Sequence, residues 1–120
     1  MINYTLKDTG IFYVTFSKTV SVEDIKKYLL EFELLKSLPL NLLALYDLRN
    51  AIIRLTQKDL IFISELTEKV TASYKTVRTA FLVSEPALTA YSILYTEELV
   101  PVKTKRKVFS TEEAALNWLI

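Results

Sequence analysis

Polar and apolar residues alternate at the start of the chain, and this pattern predicts a β-hairpin. Residues 3–7 alternate as expected of an edge strand with one face in water. Residues 11–16 are more apolar and predict a second strand further inside the sheet. Gly10 stands between the two segments and can adopt the left-handed conformation that a three-residue hairpin loop needs.

Three later apolar runs predict further strands. Residues 42–48 begin with five consecutive apolar residues, which is typical of a central strand covered on both faces. Residues 77–83 form a second run and residues 106–109 a short third one. The third run begins with Arg106 and Lys107, and basic residues favour a position at a sheet edge.

Apolar residues at helical spacing predict four helices. The first begins after Ser21 and ends before Pro39, the second runs from Thr56 to about residue 74, the third spans residues 86–99, and the fourth follows Ser110. The resulting order, ββαβαβαβα, predicts an α/β fold, because strands joined through helices form parallel pairs. We expect a mostly parallel sheet of about five strands with an N-terminal β-hairpin, forming one domain over residues 1–120.

Composition narrows the chemistry that the chain can perform. The 120 residues include no cysteine, no histidine and one glycine. This excludes thiol nucleophiles, histidine bases, the usual zinc sites and glycine-rich phosphate loops. We therefore expect no enzyme activity, no cofactor and no metal. The net charge of +1 gives no electrostatic reason to expect nucleic acid as a partner. No apolar stretch reaches membrane-spanning length and residues 1–4 do not begin a signal peptide, so we expect a cytoplasmic location.

Asp47 and Arg49 follow the central apolar run and are the first candidate site residues. Functional groups often lie at the carboxyl ends of strands in α/β sheets, so the pair is a candidate for holding the polar part of a ligand. Alternatively, Asp47 accepts hydrogen bonds from loop amides and Arg49 pairs with a neighbouring carboxylate. An enzyme that uses Asp47 and Arg49 is a further alternative.

Thr56 has two interpretations. It is suited to cap the second helix, since its side chain can accept a hydrogen bond from a backbone amide in the first helical turn. It is also a candidate phosphosite, because a phosphate group is tolerated electrostatically at the start of a helix.

Two apolar segments are candidates for a ligand- or partner-binding surface. Residues 50–55 are predicted to be a connection, yet they include Ile52 and Ile53, and Phe62 follows one turn into the second helix. The predicted third helix is uncharged over residues 86–96, as is typical of interface cores. Its candidate binding residues are Tyr91, Leu94 and Tyr95. Packing in the core is the alternative for both segments.

The chain has one basic cluster, formed by Lys103, Lys105, Arg106 and Lys107. Such a run is usually a solvated face. Beside an apolar helix it is also suited to attract the anionic head groups of a membrane surface.

Several of these features, taken in order, carry a resemblance to a known family. They are the hairpin, the strand that ends in Asp47-Leu48-Arg49, the Arg-Thr-Ala-Phe-Leu-Val strand at residues 78–83, and the closing segment at residues 108–119. Together they resemble the SpoIIAA-like branch of the STAS superfamily, the sulfate-transporter and anti-sigma-factor-antagonist domains. The resemblance covers essentially the whole chain.

The resemblance implies a non-catalytic domain whose relatives bind proteins, small ligands or lipid surfaces. The sporulation regulators carry a phosphorylated serine in an Asp-Ser-Ser-Gly motif at the start of the second helix. Here the corresponding segment is Leu55-Thr56-Gln57-Lys58, so Thr56 lies near that place but the serine and glycine are missing. The resemblance therefore does not extend to that phosphorylation switch.

Our leading hypothesis is a binding or regulatory domain that acts through an apolar surface between the second and third helices. A homodimer or another protein partner would occupy that surface. The alternative is a carrier of a small molecule or lipid, or a domain that associates peripherally with a membrane surface.

Overall fold

Five strands and three helices make up the part of the chain that the computed structural model describes, residues 1–84 and 103–120. In chain order they are β1 (Ile2–Leu6), β2 (Ile11–Val20), α1 (Val22–Leu34), β3 (Asn41–Ile53), α2 (Gln57–Val70), β4 (Thr76–Leu82), β5 (Thr104–Phe109) and α3 (Glu112–Leu119). The predicted order was ββαβαβαβα with four helices, and the described elements differ from it in helix count and order. The helix predicted over residues 86–99 lies outside the described residues.

The five strands form one sheet in the order β1-β2-β3-β4-β5. β1 is antiparallel to β2, whereas the β2–β3, β3–β4 and β4–β5 pairs are parallel. The prediction of a mostly parallel sheet is therefore corrected to a mixed sheet. The antiparallel pair arises at Gly10, whose φ of 85° turns the chain back on itself in a conformation that glycine adopts without strain. The basic strand β5 lies at a sheet edge, as predicted.

The pairing between β2 and β3 shows that a second prediction was wrong. Residues 50–53, predicted to be a connection, belong to β3 and pair with residues 17–20 of β2. The pairing shifts by one residue on the way, because Thr15 lies opposite Asp47 but Ser17 lies opposite Asn50. Two residues, Leu48 and Arg49, thus stand opposite one, which is a β-bulge. The bulge takes up the extra residue and lets β3 continue.

Apolar clusters cover both faces of the sheet. The larger cluster lies between the sheet and helices α1 and α2, and it includes the predicted α1 residues Ile25, Leu29 and Phe32. The smaller cluster lies on the other face, where Ala115 and Leu119 of α3 are almost completely buried. This arrangement explains the unbroken apolar run in β3, because alternate residues of that strand pack into different clusters.

Candidate functional site

Asp47 and Arg49 form a bidentate ion pair at the bulge in β3. Arg49 donates from Nε to Asp47 Oδ1 at 3.0 Å and from Nη2 to Asp47 Oδ2 at 2.9 Å. The backbone amide of Arg49 also donates to Asp47 Oδ1, at 3.1 Å. The Asp47 side chain is 17% exposed and the Arg49 side chain 39% exposed. Both carboxylate oxygens are thus engaged by the residue two positions along the same strand.

These contacts determine the protonation of the pair. Burial alone would raise the pKa of Asp47, but the hydrogen bonds from the Arg49 side chain and amide, together with its charge, lower that pKa below its usual value. The hydrogen bond to Asp47 raises the pKa of Arg49. A carboxylate with a lowered pKa and two engaged oxygens is a weak proton acceptor, so this geometry does not favour general-base chemistry at Asp47.

Two further residues lie beside this pair, and sequence reasoning did not connect either with it. Ser84, just beyond β4, donates from Oγ to the carbonyl oxygen of Arg49 at 3.3 Å. Glu112, in the first turn of α3, adds negative charge that contributes to raising the pKa of Arg49. No short-range sequence signal links these positions, because they come together only when β3, β4 and α3 assemble.

Thr56 caps α2. Its Oγ1 accepts a hydrogen bond from the Asp59 amide at 3.1 Å, and Asp59 Oδ2 accepts one from the Thr56 amide at 2.9 Å. This reciprocal pair satisfies two backbone donors that the helix itself leaves without partners. Phosphorylation of Thr56 stays a prediction.

The structure separates two residues that were predicted to share one surface, Ile52 and Ile53. Ile53 is partly buried and packs against the larger apolar cluster, which includes Ala51, two residues earlier in the strand. Because side chains alternate along a strand, Ile52 points to the opposite face of the sheet, where it is 57% exposed. The two isoleucines therefore cannot contact the same partner surface in the same way.

Four large apolar side chains are exposed on the outer side of the helix layer formed by α1 and α2. Ile61 and Phe62 of α2 are 40% and 41% exposed. Leu30 and Leu34 of α1 are 44% and 75% exposed. They lie one helical turn apart and so share one face of α1. We call these four residues the helix-layer surface.

Of these four residues, Phe62 was predicted from the sequence as a surface residue, whereas Leu30 and Leu34 were not. A signal was available, because α1 has its buried stripe at Ile25, Leu29 and Phe32, and Leu30 and Leu34 fall outside it at i, i+4 spacing. The other predicted surface residues, Tyr91, Leu94 and Tyr95, lie outside the described residues.

A cavity of about 100 Å³ lies between the sheet and helices α1 and α2, and sequence reasoning did not predict it. Its wall is mainly apolar and includes the predicted residue Ile53. Tyr28 and Tyr46 also line it, and their hydroxyl oxygens are 2.7 Å apart in a hydrogen bond. The cavity thus combines an apolar wall with a polar pair that is able to orient a ligand.

The basic cluster predicted from the sequence does not form a single surface. Lys103 donates from Nζ to the carbonyl oxygens of Thr71 and Tyr74, each at 2.9 Å, at the end of α2. Arg106 lines the cavity on one side of the sheet. Lys105 and Lys107 alternate with Arg106 along β5 and therefore lie on the other face, where both are exposed.

Two other features, a metal site and a membrane-spanning helix, are absent from the described residues. Within residues 1–84 and 103–120, no three acidic side chains are grouped so that they could hold a metal ion. None of the helices described there is long and apolar enough to cross a membrane.

Two solved structures share the architecture of this chain. One is an uncharacterised protein of the DUF3478 family from Shewanella loihica PV-4 with a SpoIIAA-like fold. It is 19% identical, with a TM-score of 0.66, over all of this chain and 93% of the other. The second is the anti-sigma factor antagonist SpoIIAA in its unphosphorylated form. It is 7% identical, with a TM-score of 0.59, over 98% of this chain and 96% of the other.

These similarities concern the fold. No family model and no curated protein matches the chain. At such low identity the two structures show a shared architecture, and they confirm the SpoIIAA-like α/β fold that the sequence resemblance predicted.

Proposed function

We propose that this chain is a non-catalytic binding domain that associates with a second copy of itself through the helix-layer surface. One observation carries the proposal: Leu30, Leu34, Ile61 and Phe62 are all at least 40% exposed on two helices that pack side by side. Single exposed apolar side chains are common, but several on one layer are typical of an association surface.

The composition around these residues also fits an interface. Charged residues of α1, including Lys26, Lys27 and Glu31, are exposed next to Leu30. Interfaces commonly have an apolar centre and a polar rim of this kind. Two copies related by a two-fold axis would present the same patch to each other. The neighbouring structure SpoIIAA is an anti-sigma factor antagonist, which supports a protein as the partner.

Sedimentation velocity tests this proposal. We expect the wild-type chain to form dimers in a concentration-dependent manner. The double variant Leu34→Asp/Phe62→Asp places one charge on each helix and should remain monomeric, because a buried charge without a partner is costly. Both side chains are exposed in the monomer, so the circular dichroism spectrum should stay unchanged.

The matched control is Leu40→Asp/Ile52→Asp. It also introduces two charges at exposed apolar positions, 63% and 57% exposed, but neither lies on α1 or α2. We expect this control to dimerise like the wild type. A wild-type chain that is monomeric at every concentration would overturn the proposal. Equal loss of dimer in both variants would also overturn it.

A second candidate function is the binding of a small apolar molecule in the cavity beneath α1 and α2. The cavity of about 100 Å³ is somewhat smaller than the cavities of about 150 Å³ that accept benzene in other proteins. The size therefore favours a small molecule over the lipid considered from the sequence. The Tyr28–Tyr46 hydroxyl pair would hydrogen-bond a polar group on that ligand.

Thermal unfolding with two related probes tests the second candidate. Phenol and toluene should both raise the melting temperature of the wild type, because a ligand that binds only the folded state stabilises it. Tyr46→Phe keeps the ring and removes the hydroxyl, so it should reduce the effect of phenol and preserve that of toluene. If neither probe raises the melting temperature, this candidate is wrong.

A further inference from the structure

Three positively charged side chains lie together on the sheet face that α3 partly covers. Arg78 on β4 is paired directly with Lys105 on β5, and Lys107 follows two residues later on the same strand. Residues two apart in a strand point to the same face. Ala80, the partner of Lys107, packs into the smaller apolar cluster beneath α3, which identifies that face. We call Arg78, Lys105 and Lys107 the basic patch.

The basic patch concentrates charge in a small area. Adjacent strands are about 4.8 Å apart, and residues two apart in a strand are separated by about 6.7 Å. Within the described part of the chain, no carboxylate lies within ion-pair distance of these three residues. The whole chain has a net charge of only +1, so this is a local grouping and not a consequence of bulk composition. These backbone spacings make the three side chains neighbours on one face, where like charges repel each other and a bound anion relieves the repulsion.

Arg78 is held in place within the patch. Its guanidinium carbon lies 4.4 Å from the centre of the Trp118 ring, in a cation–π contact. Its Nε is buried and has no hydrogen-bond partner among the described residues. Stacking fixes the plane of the guanidinium group, so its terminal Nη groups form a fixed pair of donors suited to two oxygens of one phosphate group.

We propose that the basic patch binds a phosphate group. Arg78 would provide the oriented donors, and the exposed Lys105 and Lys107 would add the charge that attracts the anion. The four-residue basic run of the sequence does not describe this site correctly, because Lys103 and Arg106 lie elsewhere. The site lies on the sheet face opposite the helix layer, so it is independent of the proposed self-association.

Fluorescence of Trp118 provides the test. It is the only tryptophan in the chain, and it contacts Arg78 directly. Titration with pyrophosphate, against sodium chloride of equal ionic strength, should produce a saturable change in the emission of the wild type. Lys105→Gln/Lys107→Gln should weaken binding about tenfold or more, because it removes two charged donors.

The matched control is Lys58→Gln/Lys69→Gln. It removes the same charge from exposed positions of α2, on the other side of the sheet, and should leave the affinity for pyrophosphate unchanged. Equal weakening in both double variants would mean general charge attraction and would overturn the proposal. A parallel measurement uses vesicles of phosphatidylglycerol and phosphatidylcholine, with phosphatidylcholine alone as the reference.

The two probes distinguish the source of the phosphate group. Binding of pyrophosphate that depends on Lys105 and Lys107 supports a site for a soluble phosphate compound. Binding only to the vesicles that contain phosphatidylglycerol, with the same dependence, supports a site for a lipid head group. If the wild type binds neither probe, the basic patch is not a phosphate site.

Discussion

Arg49 holds Asp47 with both its side chain and its own backbone amide, over a separation of two residues. In a regular strand, residues two apart lie about 6.7 Å from each other with their side chains on the same face, so the long Arg49 side chain can reach Asp47 without a bulge. At the bulge formed by Leu48 and Arg49, the Arg49 amide also donates to Asp47. One residue thus engages both oxygens of the carboxylate.

The stability that Asp47 provides should depend on pH. Its folded-state pKa is lowered, so its contribution is present above the unfolded value of about 3.9 and is lost as the pH falls through the folded value. At neutral pH we expect Asp47→Asn to reduce the free energy of unfolding by about 1 kcal/mol. In strong acid the variant and wild type should converge. Urea unfolding at both pH values measures this difference.

Arg49→Met provides the control for that prediction. In this background the carboxylate of Asp47 has lost its charged partner, so a further change to Asn should have little effect at neutral pH. An undiminished effect of Asp47→Asn in the Arg49→Met background would contradict the assignment of the stability to this pair.

For Asp47 and Arg49, the sequence indicated the two candidate residues but did not show that they contact each other. The order Asp47-Leu48-Arg49 was compatible with both a ligand site and an internal pair, because a strand break and a bulge look alike in sequence. The capping role of Thr56 was easier to predict, because a helix cap depends only on residues three positions apart. The hydrogen bonds of a side chain could thus be predicted where helix geometry fixes the sequence spacing of its partner.

At the level of secondary-structure elements, the C-terminal end of α2 is contacted by Lys103, a residue that is distant in sequence. The Nζ of Lys103 donates to the carbonyl oxygens of Thr71, Ala72 and Tyr74 at 2.9, 3.2 and 2.9 Å. The last carbonyl groups of a helix have no intrahelical partners, and the negative end of the helix dipole favours a cation there. Lys103 thus joins the start of β5 to the end of α2.

Lys103→Met should therefore lower the free energy of unfolding by about 1.5 kcal/mol, since it keeps much of the apolar stem and removes the charged donor. Lys75→Met is the comparison, because Lys75 is an exposed lysine whose backbone amide, and not its ammonium group, donates to Leu40 at 2.8 Å. We expect Lys75→Met to change the free energy by less than about 0.5 kcal/mol. Equal losses in the two variants, measured by urea unfolding, would contradict this role of Lys103.

The lengths of β2 and β3 show the limit of prediction for elements. Helix starts were predictable because Ser21 and Thr56 carry their capping partners three residues later. Residues 50–53 were not recognised as a strand, since their partners in residues 17–20 are distant in sequence and the hydrophobic pattern changes at the bulge. The lengths of β2 and β3 therefore depend on pairing between residues that are distant in sequence.

Across residues 1–84 and 103–120, the sheet separates two apolar cores of different size. The smaller one depends on α3, where Leu119 is 2% exposed. Leu119→Ala should lower the free energy of unfolding by about 3 kcal/mol, through lost burial and the cavity that is left. Leu40→Ala removes the same atoms from a side chain that is 63% exposed and lies outside the helix-layer surface, and it should cost less than about 0.5 kcal/mol. Similar losses in the two variants would show that α3 adds little to the fold.

The fold was more predictable than the surface. The α/β class followed from alternating strand and helix patterns, and the SpoIIAA-like architecture followed from the resemblance. The exposure of Leu30 and Leu34 was indicated by their place outside the buried stripe of α1. The cavity, in contrast, depends on how whole elements pack, and the sequence does not show where neighbouring elements leave space between them.

The bulge in β3 also has a consequence for the length of the chain. Without Arg49, Leu48 would stand opposite Phe16, and Asn50 would still stand opposite Ser17, so the ladder would be regular. Ala51 and Ile53 would keep their present orientation toward the larger core. Deletion of Arg49 would therefore remove the ion pair but keep the other side chains of β3 on their present faces. Deletion of one residue within residues 42–46 would instead move the side chains on one side of the deletion to the opposite face of the sheet.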